Sequence, residues 1–310
     1  MKSVLALLAL IIAATAGKAL AAEPVAIVPY RLDYEGLITV SAFINGRGPY
    51  DFVIDTGATL SVAFQNLADR ENFQPAGGAK KRVFGISGSS ALDTYRIGEI
   101  RIGAASLTDH VGVIIPDWSA PRRTPAGIIG IDFLRKYAVV FNIGDRTMTL
   151  YPHGGITRER IARWKSARLS ARSYASTPEA LFATQGQINH LKTTFVIDLG
   201  SATTLINYRA AEAIMTSIVR REGDEGFTTG SRLRDVFDDR SQTRIALLNR
   251  VHVGRKTWRD VRVWVKDAPV FDELGVNDRP YGLLGADLLA AQDFALDFGE
   301  KRLYMSRRGR

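Results

Sequence analysis

The chain is written twice, and that repeat limits what the rest of it can fold into. FVIDTGATLSV at 52–62 recurs 143 residues later as FVIDLGSATTL at 195–205, with Asp198 in the place of Asp55. AGIIGIDFL at 126–134 returns as YGLLGADLL at 281–289, and FNIGDRTMTLY at 141–151 as LDFGEKRLYM at 296–305, both 155 residues on. Between them IRIGAASLTDHV at 100–111 parallels VHVGRKTWRDV at 251–261, and upstream INGRGPYDF at 44–52 parallels INHLKTTF at 188–195. Five blocks kept in order, separated by modest insertions, describe a duplicated lobe.

Each copy reads as β-rich. Alternating or β-branched runs at Leu37–Ile44, Tyr50–Ile54, Val111–Ile115, Ala138–Ile143 and Thr147–Tyr151 are bounded by Gly, Asn and Asp. Asn45-Gly46 and Gly144-Asp145 predict hairpin turns, and helical signals are short, at Val62–Arg70, Asp132–Tyr137 and Tyr208–Arg221. The expected fold class is all-β, with two related closed barrel-like lobes and a groove between them. The lobes are expected over 22–151 and 179–310. Residues 152–178, basic and weakly periodic, read as a short helix and a linker packed on the outside.

Residues 1–21 stand apart. Lys2, an apolar run from Val4 to Ala14 and Ala19-Leu20-Ala21 form the charged, apolar and cleavage regions of a secretory signal peptide. The run is shorter than the roughly 20 residues of a comfortable membrane span. An exported protein, periplasmic or secreted, with no membrane span after signal removal is expected. The sequence holds no cysteine, so its core must hold it without disulfides, and thiolate chemistry is excluded. The net charge of +9 is spread out, with local density at Arg158–Arg172 and Arg307–Arg310. No aromatics interleave with it as nucleic-acid platforms require, so no nucleic-acid partner is expected. His110, His153, His190 and His252 show no metal-ligand spacing and read as surface or strand-end residues. Neither a G-x-S-x-G elbow nor a phosphate-binding glycine loop occurs. No metal or cofactor is expected.

The chemistry lies in the repeated Asp-x-Gly. A carboxylate that follows three apolar residues is costly to bury unless it is paired or hydrogen-bonded. Two copies can bring Asp55 and Asp198 together across a pseudo-two-fold axis. Two carboxyls sharing a site do not both ionise easily, so one acts as acid while the other acts as base. Gly57 and Gly200 let the backbone pass close and donate N–H groups to the carboxylates. Thr56 and Ser201 complete the expected support of the pair.

Asp55-Thr56-Gly57-Ala58 together with Gly127–Leu134 (GIIGIDFL) resembles the retropepsin-like branch of the aspartic peptidases, over most of 35–151 and more weakly over 180–306. The resemblance implies an acid-protease fold, a catalytic Asp in the Asp-Thr-Gly turn, and a ψ-shaped loop threading an apolar-apolar-Gly segment beside it. It also implies a hairpin flap over a peptide or protein substrate. RVFGISGSSALDTYRIGEI at 82–100 has the composition of that flap, with Gly85, Ile86, Ser87 and Gly88 near its tip. Lobe two departs from the family in two ways. Leu199 stands where the family has Thr or Ser, and RLRDVFDDRSQTRIAL at 232–247 has no glycine, so no working second flap is expected. The implied activity is endopeptidase hydrolysis by a monomer, with Asp55 and Asp198 catalytic. A non-catalytic peptide-binding protein of the same fold, or a homodimer using only the Asp55 lobe, remains open.

Overall fold

The computed structural model describes residues 22–33, 35–84, 89–118, 124–173, 180–215, 227–234 and 240–309. It is mostly β and duplicated, as the repeats require. In lobe one the strands Ile38–Ile44, Arg47–Ile54, Gly127–Ile129, Val62–Phe64, Ala105–Ile115 and Thr94–Ile102 bond in that order, and the last returns to the first. In lobe two the strands Ala180–Ile188, Leu191–Ile197, Tyr281–Leu284, Leu205–Ile206, Lys256–Val265 and Arg240–Val253 close the same ring. Closure leaves neither barrel a bare edge to pair with other chains.

The left-handed backbone positions repeat along with the strands. Asp109 and Asp260 both take left-handed φ, 52° and 50°, as do Arg146 and Lys301 at 51° and 52°. Asn45 and Gly46 have φ of 49° and 79°, the two left-handed residues a tight type I′ hairpin needs.

A six-stranded antiparallel sheet joins the lobes. Its order is Ala26–Leu32, Thr147–Tyr151, Ala138–Asn142, Gln292–Asp297, Arg302–Gly309 and Lys165–Ser173. The central pairing, Ala138–Asn142 against Gln292–Asp297, sets Val140 opposite Ala295. Those two residues are each other's repeat mates, so the pseudo-two-fold axis passes between them. Phe141 and Phe294 stack there at 4.6 Å and 14°. They join Ile54, Ile197 and Leu199 in one core that runs through both lobes to the base of the groove. Each large side chain buried there contributes about 1.5–3 kcal/mol.

One expectation is corrected. Residues 152–178 hold the Arg158–Ile161 helix, but also the Lys165–Ser173 strand. That strand bonds Arg302–Gly309 and then Ala180–Ile188, as Ala26–Leu32 bonds Thr147–Tyr151 and then Ile38–Ile44. It is the opening strand of lobe two rather than linker. Lobe two also carries a hairpin over the segment that includes the glycine-free run, with Gly230 in its first arm. Phe227–Arg234 pairs with the start of Arg240–Val253, as Lys81–Phe84 pairs with Ser89–Leu92 in lobe one. Among the described residues no helix is long and apolar enough to cross a membrane.

Candidate active site

Each Asp turn is locked by a strand threaded beside it. Gly127–Ile129 runs parallel to Phe52–Ile54, and Tyr281–Leu284 runs parallel to Thr194–Ile197. The approach needs glycine, since a Cβ at Gly127 would lie 2.2 Å from the Phe52 ring. The threaded strands end by accepting the aspartate N–H groups. Asp55 N donates to Ile129 O and Asp198 N to Leu284 O, both at 3.0 Å.

The carboxylates then turn towards one another. Asp55 Oδ1 accepts Gly57 N at 2.7 Å and Ala58 N at 3.2 Å. Asp198 Oδ1 accepts Gly200 N at 3.0 Å and Ser201 N at 3.1 Å. The two carboxyls lie close enough to act on each other's ionisation. Gly57 and Gly200 are each faced by the opposite carboxyl. A Cβ on Gly57 would sit 2.5 Å from Asp198 Oδ1, and one on Gly200 2.2 Å from Asp55 Cγ. Neither position can carry a side chain without splitting the pair.

Burial raises the pKa of both groups. For Asp55 the rise is opposed by the Gly57 N–H and by Asp198. Asp198, only 9% exposed, is pushed well above the usual carboxyl range by burial and then by the charge of Asp55. Both shifts disfavour the doubly charged pair.

Thr56 crosses the lobe boundary. Its hydroxyl donates to Ile197 O at 2.8 Å and accepts Leu199 N at 3.0 Å. Leu199 cannot return the bond, and its fully buried side chain packs in the shared core instead. Ser201, through its hydroxyl, donates to Thr203 O at 2.8 Å, so it stiffens its own turn. The flap residues Gly85, Ile86, Ser87 and Gly88 lie outside the described residues.

Sequence reading missed a second layer. Behind each turn a hydroxyl donates to a carboxylate, Ser61 to Asp132 Oδ1 at 2.6 Å and Thr204 to Asp287 Oδ1 at 2.7 Å. The same hydroxyls accept the glycine N–H of the threaded strand, from Gly130 at 3.0 Å and Gly285 at 3.1 Å. Ile131 N then donates to Ala58 O, and Ala286 N to Ser201 O, both at 2.8 Å. The signal was present in GIIGIDFL and YGLLGADLL, which repeat an acid two residues after the glycine. His110 is a further correction. It is 7% exposed within the Ala105–Ile115 strand, not at a surface or strand end.

Two half-sites that set the Asp55 and Asp198 carboxyls facing one another fit the arrangement expected of an aspartic site. The aspartyl protease family profile matches residues 40–133 and 184–288, once in each lobe, and the chain belongs to that family. No curated protein matches it.

Proposed function

We propose that the protein is an exported endopeptidase that acts as a monomer, with a water activated between Asp55 and Asp198. The observation that carries this reading is the pair itself, two carboxyls that each face the glycine of the opposite turn, with separate N–H cradles in one chain. The ionised carboxyl takes a proton from the water, whose oxygen attacks the peptide carbonyl carbon. The protonated carboxyl gives its proton to the carbonyl oxygen. The carboxyl that took the water proton then passes it to the amide nitrogen, the now ionised carboxyl takes back a hydroxyl proton of the tetrahedral adduct, and the C–N bond breaks to release acid and amine. No covalent enzyme intermediate and no cofactor are needed. A single chain that supplies both carboxyls disfavours the homodimer alternative. Export is supported by the signal-peptide pattern of residues 1–21.

Turnover requires the singly protonated pair, so its pH profile is a bell whose limits belong to the pair. The upward pKa shifts carry its upper limit towards neutrality. The test is cleavage of a random peptide library by residues 22–310, with Asp55→Asn and Asp198→Asn as controls. Both variants should lose turnover by a factor of about 10² or more, the scale of acid–base catalysis, while keeping their fold. Full activity of monomeric Asp198→Asn would sink the two-lobe mechanism. Tight peptide binding by the unaltered chain with no cleavage from about pH 3 to 8, a window bracketing carboxyl titration, would make it a binding protein.

A further inference from the structure

The outer face of the interlobe sheet differs between its two halves. Ala167, Leu169, Leu303 and Met305 point into the shared core. Side chains alternate along a strand, so Arg168 and Arg302 point the other way, away from the groove. Tyr304, on that same side, joins a second cluster in which Ile156, Ile161 and Trp164 pack with Ala138, Val140 and Ala295. The connection over 152–164 is thereby laid across the sheet, with Arg158, Arg160 and Arg163 exposed. Between residues 156 and 168 five basic residues stand against Glu159 alone.

Arg168 and Arg302 lie directly opposite one another in the register. Like charges so placed work against the pairing of their strands. The matching positions of lobe one, Pro29 opposite Thr147, carry no charge. Arg31, the one arginine of the Ala26–Leu32 strand, pairs with Asp51. Among the described residues no carboxylate forms an ion pair with Arg158, Arg160, Arg163, Arg168 or Arg302. Two guanidinium groups a strand's spacing apart, without an anion of the protein's own, suit a phosphate, whose oxygens match their fork of donors.

We propose that this face docks on an anionic lipid bilayer, whose headgroup phosphates meet Arg168 and Arg302 and whose surface potential holds the arginines of the connection. Three features favour a bilayer over a single bound ion. The charges are spread over a sheet and the segment lying on it, and not gathered in a cleft. Ile27, 62% exposed, alternates with the core residues Ala26 and Val28, so it offers an apolar contact at the far edge of the same face. The groove opens on the opposite side, so a docked molecule keeps it free for substrate. The inference rests on the export reading for the membrane it would meet, and not on peptide cleavage.

The test is co-sedimentation of residues 22–310 with vesicles of phosphatidylcholine alone and of phosphatidylcholine mixed with phosphatidylglycerol. The chain should follow the mixed vesicles and not the neutral ones. Salt raised to about 1 M, where the Debye length is about 3 Å, should release it. Arg163→Gln, Arg168→Gln and Arg302→Gln together should weaken binding on the order of a hundredfold, about fivefold for each basic group near the surface. Arg70→Gln, Arg96→Gln and Arg209→Gln, exposed on the barrels, remove the same charge and should change binding little. Equal losses in the two triple variants would mean that net charge alone drives binding, and would overturn the proposal. So would equal binding to both kinds of vesicle, or binding to neither. Capture by heparin with the mixed vesicles left bare would give the face to a soluble polyanion instead. Urea unfolding completes the test. The Arg163, Arg168 and Arg302 variant should be no less stable than the unaltered chain, because opposed charges are relieved. A clear loss of stability would make these arginines supports of the sheet and sink the docking role. None of these outcomes depends on whether a peptide is cleaved.

Discussion

Asp198 is strained by charge, and that strain has a sign. Its folded pKa lies well above the unfolded value, so its favourable contribution is complete below the unfolded pKa near 3.8 and is lost as pH rises through the folded value. Asp198→Asn removes the buried charge while keeping the shape. It should raise stability at pH 7, with little gain at pH 3, as read by urea unfolding at both values. Thr56 works in the opposite direction. Its hydroxyl satisfies two backbone groups across the lobe boundary, and Leu199 offers no substitute. Thr56→Val leaves Ile197 O and Leu199 N buried without that partner, at about 1–3 kcal/mol. Urea unfolding together with peptide cleavage should show both falling.

At the scale of elements, the two hydroxyl–carboxylate clamps hold the threaded strands against the Asp turns. Burial raises the pKa of Asp287, and the Thr204 bonds hold it down. Thr204→Val removes the hydroxyl bond and also frees Gly285 N, so the variant should lose about 1–3 kcal/mol. The loss should deepen as pH rises from 4 to 7, because the charged form of Asp287 is the one left unsupported. Thermal unfolding across that range checks it. The barrels and the Asp turns were legible in the sequence because buried strands repeat as FVI and GII, runs of a kind that only a core accepts. The opening strand of lobe two was not. Lys165–Ser173 buries only Ala167 and Leu169, and its other side chains stay partly or fully exposed, so a strand reads there as a basic linker. The lobe-two hairpin begins at Phe227, upstream of the glycine-free run at 232–247, so that run alone does not show both of its arms. The burial of His110 rests on Asp132 and the Ser61 carbonyl, neither of which is near it in sequence.

For the whole molecule, the interlobe sheet carries a consequence for how the chain could be taken apart. Three of its strands, Ala26–Leu32, Thr147–Tyr151 and Ala138–Asn142, come before the Pro152–Gly155 turn, and the other three come after it. The axis between Val140 and Ala295 is a seam between two non-covalent halves. The connection over 152–164 then acts as a tether that raises the effective concentration of one half at the other. Chains 22–155 and 156–310, refolded together, should assemble one to one and recover peptide cleavage, with a rate that now depends on concentration. Each alone holds a single carboxyl and should be inactive. Activity from 22–155 alone would mean that the Asp55 half can pair with itself, and the second half would then be a partner this chain carries within itself in place of a second copy.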